Sequence, residues 1–262
     1  IPETVVEAFL IVGEPVHDIR VLRSQAVLDT FRYSNTAIKD ADVRLIVGDR
    51  ELQLAYRDGG DVGEYYLPDT TYRIEPSTIY KLIVTTKDGA VLTGETKTPI
   101  QIEWIDAPVD TLWYPKDSLQ LEAPDSLALS WTGAPGISEY LVSVKSLDTL
   151  GYGEYLKPST QERNRRIERF FEEGAPDYDD VARINFVQAT GVPLVWFAFK
   201  WFGRNEVKVF ASDASFINWF KMVQWQNPAT YQPLLGNVRG GLGVVASASV
   251  VSREVFVYKN QP

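Results

Sequence analysis

The sequence predicts an all-β protein built from two β-sandwich domains, at residues 1–100 and 101–262. Through residue 98, apolar stretches of about five to eight residues alternate with turn residues, a spacing typical of β-sandwiches. The pattern pauses over residues 99–108, where prolines cannot continue a strand ladder, and then resumes. A chain of 262 residues is long enough for two such domains.

The first domain contains a series of predicted strands, each bounded by turn residues. Lys87-Asp88-Gly89 joins the last two, and Asp-Gly accepts the positive φ that a tight hairpin turn requires. A hairpin is therefore predicted at this turn. The predicted strands are VVEAFLIV, DIRVLRS, DVRLIVG, ELQLAY, GEYYL, YKLIVTT and AVLTGETK.

The second domain shows alternation of apolar residues in three segments, at 127–131, 140–144 and 207–211. These segments resemble strands B, C and F of a fibronectin type III domain, in which a tryptophan packs under a tyrosine and valines of the other sheet. The interval between the second and third segments is longer than in that pattern. An insertion over about residues 150–190 is therefore predicted.

The insertion carries the pattern of one helix. Ser159 and Glu162 have the spacing of a capping box, and the chain then continues without glycine or proline as far as Gly174. This pattern predicts a helix over residues 160–173. Its apolar face would consist of Ile167, Phe170 and Phe171.

The composition excludes several classes of function. The chain has no cysteine, and His17 is its only histidine, which removes disulfides, thiolate and multi-histidine metal sites, and histidine-based catalytic triads. The net charge of −9 argues against nucleic-acid binding. We therefore expect a protein that is not an enzyme and has no cofactor. A glycosidase with two carboxylates stays as an alternative, because their separation exists only in the fold.

Glycines near the C-terminus raise the question of a phosphate-binding loop. Gly240, Gly241 and Gly243 match neither the dinucleotide-binding nor the P-loop spacing, and valine-rich β sequence follows them. We predict instead that they allow a bulge or a close backbone approach at the start of a strand.

An acidic cluster in the insertion is a candidate for calcium binding. Asp177, Asp179 and Asp180 offer the oxygen ligands that calcium prefers. The glycine and the distal glutamate of an EF-hand are absent, so a plain acidic loop is the favoured interpretation.

Aromatic residues are concentrated between residues 196 and 231. A strand over residues 195–202 would place aromatic side chains on both of its faces. Either the insertion helix covers the second face, or the cluster is a surface that binds a protein partner or stacks on sugars. The candidate interface residues are Trp196, Trp201, Phe202, Trp219, Phe220, Trp225 and Tyr231.

Two strands have few charges to protect them if they lie at a sheet edge. Val5 to Val12 contains only Glu7, and Val244 to Val251 contains no charge. Interior positions are the simpler interpretation, whereas exposed edges would pair with another chain. Together with the aromatic cluster, they predict protein–protein assembly as a structural subunit of a surface complex or filament, with glycan binding as the alternative.

Four phrases together resemble an exported, usually lipid-anchored family of Bacteroidetes proteins, domain of unknown function 4249. They are Val5-Val6-Glu7-Ala8, Ala41-Asp42-Val43, Tyr80 to Gly89 and Asn237 to Gly243. The resemblance implies an Ig-like first domain and an extracytoplasmic location, at the outer-membrane surface or in the periplasm. It also implies a lipid anchor as the only membrane contact, and partners that are copies of the chain or a TonB-dependent receptor complex. The family supplies no catalytic residues.

Overall fold

The structure is a computed structural model that describes residues 3–25, 32–115, 127–167, 181–224 and 236–259. It is mostly β, as the sequence predicts. One α-helix, α1, spans Ala214–Gln224 in the described ranges. The strands are β1 Thr4–Ile11, β2 Arg20–Arg23, β3 Asp42–Val47, β4 Arg50–Gln53, β5 Ala55–Arg57, β6 Glu64–Tyr66, β7 Ile79–Thr85, β8 Val91–Lys97, β9 Trp104–Asp106, β10 Thr111–Trp113, β11 Ala128–Trp131, β12 Tyr140–Ser146, β13 Ala182–Val187, β14 Gly191–Pro193, β15 Gly203–Ser212 and β16 Leu242–Tyr258.

The chain forms two compact units. Strands β15 and β16 each contribute residues to both of them. The boundary predicted at residues 100 and 101, between separately folding domains, stays a prediction. The first unit contains Ile1–Gln101, Ala134–Ile137 and Ala211–Ser249, and the second contains Ile102–Gly133, Ser138–Phe210 and Val250–Pro262.

The first unit is a β-sandwich. One sheet has the order β16-β1-β2, and the other has the antiparallel order β4-β3-β7-β8. Alternate residues of β1 point into the core, so a single cluster joins the two sheets. The predicted hairpin at Gly89, where φ is +87°, is confirmed. The core residues include Val6, Ala8, Leu10, Val43, Leu45, Tyr80, Leu82 and Val84.

The second unit also has two sheets. One has the order β13-β12-β15-β16, with β10 parallel to the end of β16, and the other has the order β14-β11-β9. Trp131 of β11 is fully buried and lies edge-on to Tyr140 of β12, with ring centroids 5.5 Å apart. The three alternating segments of the second domain are therefore confirmed as strands with buried apolar faces. No helix in the described ranges is long and apolar enough to span a membrane.

The glycines of the last strand allow close backbone approach, as predicted. Gly243 lies opposite Val6 in the ladder between β16 and β1, and its φ is +118°. The side-chain amide of Asn237 donates to the carbonyls of Glu95 and Val245, and its oxygen accepts the N–H of Val245. The segment from Asn237 to Gly243 thus joins β8 to β16 within the first unit, and its role is structural.

The prediction of a helix over residues 160–173 is wrong for residues 160–167, which the structure describes. Residues 159–167 are irregular, and isolated bridges pair Arg163 with Gly151 and Arg166 with Trp201. The side chain of Glu162 does not cap a helix, because it accepts a hydrogen bond from Lys259 at 2.9 Å. Tertiary contacts have overridden the local helical pattern. Residues 168–173 lie outside the described residues.

Helix α1 was not predicted, although its sequence contains a start signal. Asp213 precedes it, and one carboxylate oxygen accepts the N–H of Phe216 at 2.7 Å, as an N-cap does. The other oxygen accepts the N–H of Ser247 at 3.1 Å and the hydroxyl of Thr96. Burial is the largest effect on this carboxyl and raises its pKa, against the lowering effect of these hydrogen bonds.

We expect Asp213→Ala to lower the free energy of unfolding by about 1–3 kcal/mol, because it removes a cap and leaves buried donors unsatisfied. A raised pKa means that the protonated carboxyl favours folding, and this contribution is lost as pH rises through the folded-state pKa. The difference between the natural protein and the variant should therefore be larger near about pH 4 than at pH 7. Urea unfolding at the two pH values measures it, and a smaller difference at the lower pH would contradict the assignment.

Candidate functional site

Three residues of the predicted aromatic interface belong to the core. Trp196, Trp201 and Phe202 are 7%, 1% and 5% exposed, so these side chains have little surface to offer a partner. The reason is local, because Trp196–Ala198 forms a 3-10 turn and not the alternating strand that was predicted. Trp219 and Phe220 of α1 are half-buried. Trp225 and Tyr231 lie outside the described residues, as do the candidate calcium ligands Asp177, Asp179 and Asp180.

The two strands considered as exposed edges are interior strands. β1 pairs with β16 on one side and with β2 on the other, and the Val244 to Val251 run lies within β16 between β1 and β15. Their low charge is therefore explained by burial within the sheet. Within the described residues, neither strand is therefore an open edge at which another chain could pair.

A different aromatic surface lies on the outward face of a sheet in the second unit. The ring of Trp113 is stacked on Tyr258, with centroids 4.4 Å apart and planes 16° apart. The ring centroid of Phe256 lies 4.6 Å from that of Tyr258, and the ring centroid of Tyr155 lies 6.4 Å from that of Phe256. We call Trp113, Tyr258, Phe256 and Tyr155 the aromatic strip. Trp113 is 60% exposed and Tyr155 is 38% exposed.

Strand alternation produces this strip. In β16 the side chains of Val255 and Val257 are buried, so Phe256 and Tyr258 point to the opposite face. The parallel ladder between β10 and β16 places Trp113 directly beside Tyr258. The sequence contains a signal for this arrangement, because REVFVY alternates valine with aromatic residues. This signal is weaker in the sequence than the dense group of aromatic residues over residues 196–231.

Ion pairs lie beside the strip. Arg204 makes a bidentate pair with Glu254, with distances of 2.7 and 2.9 Å, and its guanidinium lies 5.1 Å from the Tyr155 ring centroid. Hydrogen bonding to Arg204 lowers the pKa of Glu254, and the same bond raises the pKa of Arg204. Arg253 pairs with Asp110 at 2.5 Å. Asp110, Arg253, Glu254 and Phe256 line one open depression of about 420 Å³.

A buried lysine supports one side of the strip. The backbone N–H of Lys259 donates to the Tyr152 hydroxyl at 3.0 Å, and its ammonium lies 4.0 Å from the Tyr152 ring centroid. The ammonium also donates to Glu162 and to the carbonyl of Arg163. Burial lowers the pKa of Lys259, although Glu162 opposes this effect. These contacts connect the end of β16 to the segment that carries Tyr155.

The first unit has a polar cleft of about 330 Å³ whose walls include Asp18, Arg20 and Glu64. Burial favours the neutral form of Glu64, but hydrogen bonds from Arg57 and from the N–H of Asp18 lower its pKa overall. Its oxygens are therefore already used within the fold. His17 is half-exposed at this cleft, with Nδ1 3.8 Å from Glu64. The aromatic strip is the better candidate because its rings are exposed and its ion pairs lie at the surface.

The loop at Asp58 to Asp61 connects β5 and β6. The carboxylate of Asp58 accepts hydrogen bonds from Lys39 at 2.6 Å and from Tyr56 at 3.1 Å. Within the described ranges, no group of three or more histidine or acidic side chains is placed to hold a metal ion.

The fold and this surface define a mostly β protein of open sheets with an exposed aromatic strip. The chain belongs to the family described as Domain of unknown function (DUF4249), whose profile matches residues 2–254. This match confirms the family resemblance seen in the sequence. Comparison with curated proteins gave no match.

One solved structure that the chain resembles is "Crystal structure of DIP-gamma IG1+IG2". The match covers 100% of this chain and 98% of that chain, at 9% sequence identity and a TM-score of 0.22. A TM-score of this size supports no argument about fold or function.

Proposed function

We propose that this chain is a non-catalytic glycan-binding protein whose ligand lies along the aromatic strip. The observation that carries the proposal is Trp113, which is 60% exposed although its ring is stacked on Tyr258. The C–H bonds on one face of a pyranose ring are weakly positive, and they pack against the negative face of an aromatic ring. A tryptophan that is already oriented by Tyr258 loses little entropy when a sugar binds.

The groups beside the strip suit sugar hydroxyls. A hydroxyl both donates and accepts, so it can donate to a carboxylate and accept from the neighbouring guanidinium. The pairs Arg253–Asp110 and Arg204–Glu254 provide this combination at the surface. Apolar stacking with adjacent polar groups that fix orientation is the usual composition of a small-molecule site.

A binding role without catalysis is favoured by the state of Glu254. A glycosidase needs a general acid with a raised pKa. The pKa of Glu254 is instead lowered by its hydrogen bond to Arg204, so this carboxylate is poised to accept hydrogen bonds. We therefore assign binding, and not bond cleavage, to this surface.

The proposal includes an extracytoplasmic location, where glycan chains are accessible. It also includes the remaining features of the family resemblance, which are a Bacteroidetes source, a lipid anchor and a fibronectin type III-like second domain. Metabolic labelling with an alkyne fatty acid, followed by separation of membranes, would test the anchor on the protein in its native cell. Recovery of unlabelled protein in the cytoplasmic fraction would contradict this part.

We expect Trp113→Ala to weaken glycan binding at least about tenfold, because a stacked ring contributes roughly 1–2 kcal/mol. Isothermal titration calorimetry against a panel of soluble oligosaccharides would measure it. The free energy of unfolding should change by less than about 0.5 kcal/mol, since the side chain is largely exposed.

Phe197→Ala is the matched control. Phe197 is 46% exposed, but its ring contact is with Arg183, at 5.4 Å, and not with the strip. Binding should be unchanged in this variant. A panel in which no oligosaccharide binds, or equal binding by the Trp113 variant and the natural protein, would overturn the proposal.

Protein–protein assembly is the second candidate, and one observation favours it. The strip combines tryptophan, tyrosine and arginine, the residue types enriched in interface hot spots. In that case Trp113→Ala should release monomer from an oligomer in multi-angle light scattering, without a change in folding. A glycan site predicts the same oligomeric state for both proteins.

A further inference from the structure

We infer that the glycan taken by the aromatic strip is electrically neutral and that its pyranose rings carry equatorial hydroxyls. This inference rests on the proposed function and specifies its ligand.

The arginines beside the strip are already bonded to neighbouring carboxylates. Arg204 forms an ion pair with Glu254, and Arg253 forms one with Asp110. On β15, Lys208 holds Glu206 at 2.9 Å, and Glu206 in turn accepts the hydroxyl of Ser252. These side chains therefore form three neutral pairs among the described residues near the strip.

An anionic sugar would have to compete with these carboxylates. An anionic group at the Arg204 guanidinium would lie beside the Glu254 carboxylate, which already accepts from Nε and Nη2, and the two negative groups would repel each other. The chain as a whole has a net charge of −9, so a polyanion is also repelled as it approaches. A neutral hydroxyl avoids both costs, because it adds one donated and one accepted bond to an intact ion pair.

The stacking surface selects the shape of the ring. Trp113 offers one flat face to a ligand, because its other face is stacked on Tyr258, with the two planes 16° apart. A pyranose whose hydroxyls are all equatorial has only C–H bonds on its faces, so it can lie flat on the indole. An axial hydroxyl projects from one face of the pyranose and would hold that face away from the indole, so it leaves fewer orientations in which the sugar can stack. Gluco- and xylo-configured β-linked chains meet the requirement.

The test compares two ligands with the same backbone. Cellohexaose and carboxymethylated cellohexaose would be titrated into the natural protein and into Trp113→Ala, in low salt and in high salt. We expect cellohexaose to bind at least about tenfold more tightly than its carboxymethylated form, with no dependence on salt. Xylohexaose should bind like cellohexaose, whereas mannohexaose, with its axial hydroxyl, should bind more weakly.

A second variant separates charge from stacking. Arg253→Gln leaves Asp110 without its guanidinium and should weaken the binding of cellohexaose severalfold while Trp113 still stacks. Tighter binding of the carboxymethylated ligand, lost in high salt, would overturn the inference and leave the glycan-binding function standing. If mannohexaose binds as tightly as cellohexaose, the inference that the ligand needs equatorial hydroxyls is overturned. Failure of every oligosaccharide to bind would overturn the proposed function itself.

Discussion

Gly243→Ala should lower the free energy of unfolding by more than about 3 kcal/mol. A Cβ on Gly243 would lie 1.9 Å from the carbonyl oxygen of Val6, and φ at this position is +118°. Both strands are interior to the first unit, so the backbone of β1 cannot move away without breaking its ladder with β2. Urea unfolding followed by circular dichroism would measure the loss.

Gly89→Ala is the matched control for this substitution. Gly89 also has a positive φ, of +87°, but an added Cβ would meet no atom within 4 Å. Its cost should be confined to backbone strain of about 1 kcal/mol. A Gly243→Ala variant as stable as the Gly89→Ala variant would show that β1 and β16 do not approach as closely as the structure has them.

Trp131→Ala should cost about 3–5 kcal/mol, because it removes a fully buried ring from the core of the second unit. The ring lies edge-on to Tyr140, so part of this loss is the aromatic contact between the two sheets. Thermal and urea unfolding of the variant would give the change in stability.

Trp131→Phe, compared with Trp131→Ala, separates the contribution of the ring contact from that of the indole N–H. Among the described residues, the buried indole N–H of Trp131 has no hydrogen-bond partner, so phenylalanine removes an unsatisfied donor while it keeps a ring against Tyr140. This variant should lose less than about 2 kcal/mol. If alanine and phenylalanine destabilise the protein equally, the ring contact contributes nothing and the assignment of this core is wrong.

The sequence predicted the type of the candidate site, an aromatic surface, but not the residues that form it. The chain suggested a binding surface made of aromatic residues, but the residues named first include Trp196 and Trp201, which the fold buries. Aromatic density does not distinguish a core from a surface, because burial depends on which strands lie above each ring. Trp113 and Tyr258 are far apart in sequence, and only the ladder between β10 and β16 makes them neighbours.

The helices show the same limit. A capping-box pattern at Ser159 and a plain aspartate at Asp213 are both start signals, and the structure uses the second. Glu162 binds Lys259, nearly a hundred residues away, and no local pattern reports such a contact. Short helical signals are worth little energy on their own, so long-range contacts decide between them.

The β class, the strands of the first domain and the hairpin at Gly89 followed from the amino-acid sequence alone, because alternation and turn chemistry act over a few neighbouring residues. The sequence also determined that Gly240 to Gly243 would serve a strand, since no phosphate-binding spacing is present. The tertiary structure decided that β1 and β16 are interior strands, and it decided which rings reach the surface. Strand order and burial depend on contacts between distant segments, and a one-dimensional pattern does not record which segments meet.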